Sequence, residues 1–246
     1  AALAAETGLP VVSDLRALDV ALGGQGAPIV PIGEQLLFPD YRIFLNLGGI
    51  ANISFAHDRN ITAYDVCPAN RVLNGIVAPL GKAYDADGEE AAKGTVHESL
   101  LQTLNAQDYY SLAAPKSLAN DFGTDVLLPL IASYNLSVPD ALRTVVAHVV
   151  QQIEKAVALS RMQNEKMLVT GGGAFNTFLI GELQSALHKY SITVAVPDAQ
   201  IVSYKEALVM ALMAVLRWRQ EYNTIPTVTG ASRAAIGGAL WLGTEA

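Results

Sequence analysis

Two runs of strand-forming residues, Tyr41-Arg-Ile-Phe-Leu-Asn46 and Ile50 to Phe55, meet at the glycine pair Gly48-Gly49, and that junction constrains the fold more than any other part of the chain. Runs rich in Ile, Leu and Phe that break at glycine read as strands turning back on themselves. A third run, Ile61-Thr-Ala-Tyr-Asp-Val66, follows the turn signal Asp58-Arg-Asn60, so three consecutive antiparallel strands are expected. The glycines carry a second meaning. A residue without Cβ leaves its backbone N–H bare and lets an anion approach it. An ordinary hairpin turn would look the same, so a second signal has to decide.

That signal is Gly171-Gly-Gly173. Lys166-Met-Leu-Val-Thr170 reads as a buried strand, and Ala174-Phe-Asn176 opens a helix expected to reach about Tyr190. Strand, glycine loop and helix N-terminus together form an anion-binding geometry, because amide donors and the helix dipole converge. Asn176 stands where a dinucleotide fingerprint needs its third glycine, and no Gly-Lys-Ser or Gly-Lys-Thr follows as a P-loop requires. A nucleotide held between two separate glycine turns is the economical expectation.

The remaining pattern surrounds these turns with helices. Ser137-Val-Pro-Asp140 is a capping sequence, and Leu142, Val145, Val146, Val149, Val150, Ile153 and Val157 follow at helical spacing. Ile192 to Val196 reads as a strand closed by Pro197-Asp198. Ser203-Tyr-Lys-Glu206 repeats the capping-box pattern before a helix from Ala207 to Arg219, and Val228 to Gly238 reads as a turn and a closing helix. Strands alternating with such helices predict a layered α/β fold, and the antiparallel opening makes its sheet mixed.

Composition limits what a nucleotide site here can serve. With 246 residues and 51% hydrophobic content the chain can bury a sizeable core in one large domain or two lobes. Sixteen basic against 23 acidic residues give a net charge of −7 with no basic cluster, so nucleic acid is not expected as a partner. No uninterrupted apolar run approaches the ~18 residues of a membrane span, and the opening Ala1 to Gly8 lacks the basic region of a signal peptide. A single cysteine, Cys67, fits a reducing cytoplasm. It reads as a small packed residue, since nothing near it in sequence would favour its thiolate.

A further constellation is Asp14-Leu-Arg-Ala-Leu-Asp19 ahead of Gly23-Gly-Gln-Gly-Ala-Pro28. A carboxylate beside flexible backbone can take a proton, while Arg16 and loop amides balance phosphate charge. A solvent-exposed turn with an internal Arg–Asp pair would give the same sequence.

Val11 to Pro31, with its Ser-Asp-Leu-Arg-Ala-Leu-Asp and Gly-Gly-Gln-Gly-Ala-Pro segments, and Phe44 to Ser54 resemble the signature of the anhydro-N-acetylmuramic acid kinases. The resemblance continues through Tyr84 to Val96, Pro115-Lys-Ser117, Thr170 to Asn176, Glu206-Ala207 and Pro226 to Ala231. It implies a ribonuclease-H-like, actin-type ATPase fold whose two lobes close over ATP and Mg²⁺. It further implies a cytoplasmic homodimer of cell-wall recycling that opens the 1,6-anhydro ring of its amino sugar and phosphorylates O6. Residues 1–38 would be the remnant of a first lobe carrying the catalytic loop, and 39–246 the second lobe.

Carried onto this sequence, the resemblance makes Asp19 the base that activates water, with Asp14 as the lesser candidate and Arg16 assisting. Gly23, Gly24, Gln25 and Gly26 would help hold the sugar, together with Asp65, Asn70 and Glu206. Asn46, Gly48, Gly49 and Asn52 would form the phosphate hairpin, and Gly171, Gly172, Gly173 and Asn176 would face the adenosine. No metal ligands are assigned. Lys116 reads as a surface charge and His148 as a structural residue on an apolar helix. Where the family has Asp-Thr-Gly-Pro-Gly-Asn, this chain has Asp65-Val-Cys-Pro-Ala-Asn70, and Pro115 to Asn120 lacks a Thr-Gly-Arg-Glu continuation. The family's earlier phosphate hairpin has no counterpart in this sequence. Two other readings remain: a catalytically weak paralogue that binds nucleotide or amino sugar as a sensor or assembly partner, and a dinucleotide-binding oxidoreductase domain.

Overall fold

The computed structural model describes residues 1–57, 60–114, 116–119 and 121–244. Asp58 and Arg59 of the expected turn, and Pro115 and Asn120 of the motif around Lys116, lie outside the described residues. In chain order these form α1 (Ala2–Thr7), β1 (Val11–Ser13), α2 (Ala17–Ala21), α3 (Val30–Leu37), β2 (Ile43–Leu47), β3 (Ile50–His57), β4 (Asn60–Pro68) and α4 (Asn70–Val77). There follow α5 (Glu98–Asn105), α6 (Leu128–Ser133), α7 (Val138–Ser160), β5 (Lys166–Thr170), α8 (Thr177–Leu187), β6 (Thr193–Ala195), α9 (Ala199–Trp218), α10 (Pro226–Thr229) and β7 (Ala239–Trp241).

The chain divides into two compact units. One comprises Ala1–Pro39, Ala56–Thr62 and Tyr204–Ala246, the other Asp40–Phe55 and Ala63–Ser203.

The larger unit is built on a five-stranded sheet of order β4-β3-β2-β5-β6. β2 pairs antiparallel with β3, from Ile43 opposite Phe55 to Leu47 opposite Ala51, and parallel with β5, which is parallel to β6. Two residues separate β3 from β4, too few for the crossover a parallel pair needs. The mixed sheet with antiparallel opening strands is therefore present, in the strand order of a ribonuclease-H-like fold. Its centre is dry: Ile43, Phe44, Leu45, Leu47, Met167, Leu168 and Val169 are all buried, as strands covered on both faces require.

α7 starts where its sequence says. The Ser137 hydroxyl accepts from the Asp140 N–H (3.2 Å) and donates to Asp140 Oδ2 (2.7 Å). All seven apolar positions from Leu142 to Val157 are buried, each contributing roughly 1.5–3 kcal/mol. That face packs against α4, α5 and α8. His148 lies in the same face with Nδ1 2.7 Å from Asn105 Oδ1 and Nε2 2.9 Å from the Tyr110 hydroxyl. Burial lowers its pKa to about 3, so it is a neutral structural residue. Cys67 is also buried, and burial pushes its thiol up, away from nucleophilic use. Lys116 is half-buried rather than a free surface charge: its Nζ donates to the Tyr109 carbonyl (3.1 Å) and lies 4.4 Å from that ring's centroid.

In the smaller unit Val209, Met213 and Leu216 of α9 pack with Ile29 and Ile32 around α3. Beside them Lys205 Nζ meets Glu34 Oε1 at 2.6 Å, both side chains 7% exposed. β1 and β7 form an antiparallel two-stranded sheet, Val11 opposite Trp241 and Ser13 opposite Ala239.

Two sequence expectations are corrected. α9 begins at Ala199, not after Glu206, because Asp198 Oδ1 accepts the N–H groups of Gln200 and Ile201 at 2.9 Å each and so caps the helix early. The Ser203–Glu206 capping box is thus helix interior, and Glu206 is exposed on it. The C-terminal tail closes as a strand, β7, with helix confined to α10, because a partner strand more than two hundred residues earlier was invisible to local pattern. α9 is also long and apolar enough, by length and composition, to cross a membrane, while Lys205 and Glu206 interrupt its apolar run as the sequence expectation required.

Candidate functional site

Both glycine turns of the larger unit leave the sheet at the same edge. Asn46 of β2 lies opposite Thr170 of β5 in parallel register, so Gly48-Gly49 and Gly171–Gly173 follow at the carboxyl ends of neighbouring strands. Open α/β sheets bind ligands at such ends. Close approach explains the glycines. A Cβ on Gly171 would lie 2.6 Å from Asn46 Oδ1 and 2.8 Å from the Leu47 carbonyl oxygen, and one on Gly173 would lie 2.7 Å from Leu47 Cβ and 2.8 Å from Asn70 Oδ1. Gly171 has φ 81° and ψ 165°, a combination essentially reserved for glycine.

Asn70, the first residue of α4, ties the turns together. Its Nδ2 donates to the Leu47 carbonyl (2.8 Å), its N–H to the Gly48 carbonyl (3.1 Å), and the Ala69 N–H to the Gly49 carbonyl (2.9 Å). The Thr170 hydroxyl, at the end of β5, is buried without a hydrogen-bond partner. Asn176 caps α8, accepting from the Leu179 N–H at 2.9 Å. Gly172, Gly173, Phe175 and Asn176 line a cavity of about 550 Å³, faced by Asn70, Asn74 and Tyr84 to Asp87. The volume suits a nucleotide-sized ligand.

A side-chain relay joins β2, β3 and β4. Asn46 Nδ2 donates to Asn52 Oδ1 (3.4 Å), and Asn52 Nδ2 donates to Asp65 Oδ1. Asp65 Oδ2 accepts from the Leu118 N–H at 2.8 Å. Asn46, Asn52, Asn70 and the second glycine turn are thus brought together, and Asp65 of β4 has its two carboxylate oxygens engaged by Asn52 of β3 and the Leu118 N–H.

The smaller unit holds the other constellation. Asp19 sits in α2 and is completely buried. Its Oδ2 accepts from the Gly26 N–H (2.9 Å) and its Oδ1 from the Thr229 hydroxyl (2.7 Å). Gly24 lies against the carboxylate, where a Cβ would be 2.3 Å from Oδ2. Arg16 donates to the Gly26 carbonyl rather than to an aspartate, so the alternative of a charged turn with an internal Arg–Asp pair gives way to an Arg–loop contact. Asp14 points away from this arrangement: it is exposed, has φ 55° and accepts from the Ser13 hydroxyl. Gly23 and Gly26 have positive φ, 84° and 66°, which the loop's reversal requires. Gln25 is exposed and donates its N–H to the Thr229 carbonyl (2.8 Å).

The residues that sequence reading left without a role are Thr229, the orphaned Thr170 hydroxyl, and Tyr84, Asp87 and Phe175 in the cavity wall. Thr229 was inside a quoted motif, yet its contact with Asp19 spans 210 positions.

A family model described as "Anhydro-N-acetylmuramic acid kinase" matches residues 1–243. Similar curated proteins are the anhydro-N-acetylmuramic acid kinases of Shewanella halifaxensis (strain HAW-EB4), 36% identical over 242 residues, and Vibrio parahaemolyticus serotype O3:K6, 35% identical over 246. The matches cover 95% and 97% of this chain and 65% and 66% of those relatives. The chain therefore spans about two thirds of their length. A similar solved structure is the activator of the 2-hydroxyisocaproyl-CoA dehydratase from Clostridium difficile with bound ADPNP, at TM-score 0.47 and 16% identity, covering 78% of this chain and 67% of that one.

Proposed function

The chain belongs to the anhydro-N-acetylmuramic acid kinase family, and on that premise we propose that it serves an ATP-dependent sugar kinase that hydrolytically opens 1,6-anhydro-N-acetylmuramic acid and phosphorylates O6. The observation that carries this reading is the cavity of about 550 Å³ lined by Gly172, Gly173 and Asn176 of the second glycine turn, with Asn70, which bonds the Gly48-Gly49 turn, in its wall at the carboxyl ends of β2 and β5. ATP fits the residues present: Gly172, Gly173, Phe175 and Asn176 line the cavity, and at the end of β5 the Thr170 hydroxyl is a buried polar atom without a hydrogen-bond partner. Gly48, Gly49 and Asn52 with Asn46 face the phosphates in this reading, and Gly171, Gly172, Gly173 and Asn176 the adenosine.

Among the described residues no group of three or more His, Cys, Asp or Glu could hold a metal ion. A Mg²⁺ would take most of its coordination from phosphate oxygens and water, as it commonly does. It would supply charge neutralisation for the transferring phosphoryl group.

Asp19 is the base of the reaction. It removes a proton from water as the oxygen attacks the anomeric carbon; the bond from that carbon to the bridging oxygen O6 breaks, and O6 attacks the γ-phosphorus of ATP, whose bond to the β–γ bridging oxygen breaks so that ADP leaves. Gly23 to Gly26 and Arg16 hold the sugar and balance phosphate charge, with Asn70 and Glu206 as further sugar contacts. Residues 1–38 belong to a first lobe, and the protein acts in the cytoplasm as a homodimer. Positioning and charge neutralisation, rather than covalent chemistry, supply the acceleration.

Sugar-dependent ADP release from the longest available form of the protein, lost in Asp19→Asn, is the expected result. A second reading, a paralogue that binds nucleotide without transferring its phosphate, is favoured by one observation: Asp65 has both oxygens engaged where the family's Thr-Gly-Pro-Gly run is replaced by Val66-Cys-Pro-Ala69. ATP-induced stabilisation without ADP release would select it.

A further inference from the structure

The kinase reading gives Asp19 a task but leaves open how a wholly buried carboxylate keeps a defined orientation. Few side chains in the smaller unit have a contact pattern as directional as that of Thr229. It is 2% exposed and uses every polar atom that could bear on Asp19. Its hydroxyl donates to Asp19 Oδ1 at 2.7 Å, and because a hydroxyl has one proton, its oxygen is left to accept, which it does from the Ala231 N–H at 3.4 Å. Its carbonyl accepts the Gln25 N–H at 2.8 Å, and three residues on, the Ser232 N–H donates to the Leu22 carbonyl at 3.0 Å. These bonds bracket the 23–26 loop from outside. From within, the Gly26 N–H donates to Asp19 Oδ2 and the Gly24 N–H to the Asp19 carbonyl, both at 2.9 Å.

Building on the assignment of Asp19 as the base, we propose that Thr229 is its positioning residue. Its hydroxyl fixes the carboxylate through Oδ1, while its backbone carbonyl bonds the glycine loop whose Gly26 amide fixes Oδ2. A carboxylate has about four lone-pair directions, and two are taken here. The carboxylate plane is thereby set, with the other directions left for the water it must deprotonate. The absence of a side chain at Gly24 follows from the same arrangement, since a Cβ there would occupy the carboxylate's own place. Burial makes the arrangement consequential: an ionised group out of water needs its donors, and a hydrogen bond to a charged group is stronger than one between neutral groups.

The test compares Thr229→Val, which keeps the shape, and Thr229→Ala, which relieves any strain, with Thr229→Ser, which keeps the hydroxyl. On this chain, amide exchange of a peptide covering residues 22–28 is expected to quicken about tenfold or more in Val and Ala and to stay near wild type in Ser. In the longest form that turns over, kcat is expected to fall about 10- to 100-fold in Val and Ala, with KM for ATP unchanged and Ser restoring most of the rate. Exchange in that peptide unchanged in both hydroxyl-free variants overturns the proposal, as does a rate loss that Ser fails to rescue. Wild-type protein that protects the loop yet shows no sugar-dependent turnover sinks the kinase reading instead.

Discussion

Gly171→Ala is the substitution that tests the nucleotide cradle most directly. The backbone at φ 81° and ψ 165° is open to glycine and almost closed to alanine, at a cost of about 1–3 kcal/mol. The new methyl would also stand 2.6 Å from Asn46 Oδ1 and 2.8 Å from the Leu47 carbonyl oxygen, the latter backbone that cannot step aside. Overpacking of this kind adds about 1–3 kcal/mol. The sum, roughly 2–6 kcal/mol, corresponds to a melting temperature lowered by of order 10 °C for a unit of this size. Gly181→Ala in α8 is the matched control, because nothing lies within 4 Å of its added methyl and a helix interior prefers alanine by about 1 kcal/mol. Thermal unfolding followed by circular dichroism, with and without Mg-ATP, reads both. The expected order is Gly171→Ala below wild type below Gly181→Ala, with the ATP-induced rise lost in the first only. If Gly171→Ala melts within a degree or two of wild type, the close approach of the two turns is wrong.

Lys205→Met removes the ammonium partner of the buried Glu34 carboxylate and is expected to cost up to about 3–5 kcal/mol by urea titration, most of it recovered by the double variant Glu34→Leu/Lys205→Met. His148 has its pKa lowered by burial to about 3, below the ~6.5 of an unfolded chain, so the unfolded state binds the extra proton between those values. The stability it contributes is complete above about pH 6.5 and falls by about 1.4 kcal/mol per unit towards pH 3. Between pH 7 and pH 5 wild type should therefore lose roughly 2 kcal/mol more than His148→Gln; equal losses would remove His148 as the cause.

What could be read from sequence was local. β5 and the start of α7 were recognisable because burial pattern and capping residues lie within a few positions of one another, and the glycine turns because a missing Cβ is itself a signal. The α9 start was misread since Ser203 to Glu206 satisfies a capping rule that Asp198, five residues earlier, satisfies first. β7 was misread since strand pairing is decided by a partner at Val11–Ser13. Site residues followed the same divide. Asp19 and its glycine loop adjoin in sequence, whereas Thr229 reaches them only once the fold has formed.

The pairing of β1 with β7, reinforced by the Trp241 indole N–H donating to the Ser13 hydroxyl across 228 positions, has a consequence for biosynthesis. The larger unit, Asp40–Phe55 with Ala63–Ser203, can close its β2–β5 pairing once Thr170 has left the ribosome, but the smaller unit has to wait with its early residues unpaired until Trp241 has emerged. Closing so long an interval costs chain entropy before any contact repays it. During that wait Val11–Ser13 is an open strand edge, the kind of surface on which nascent chains stick to one another, and loss of the last few residues of this unit would make that condition permanent.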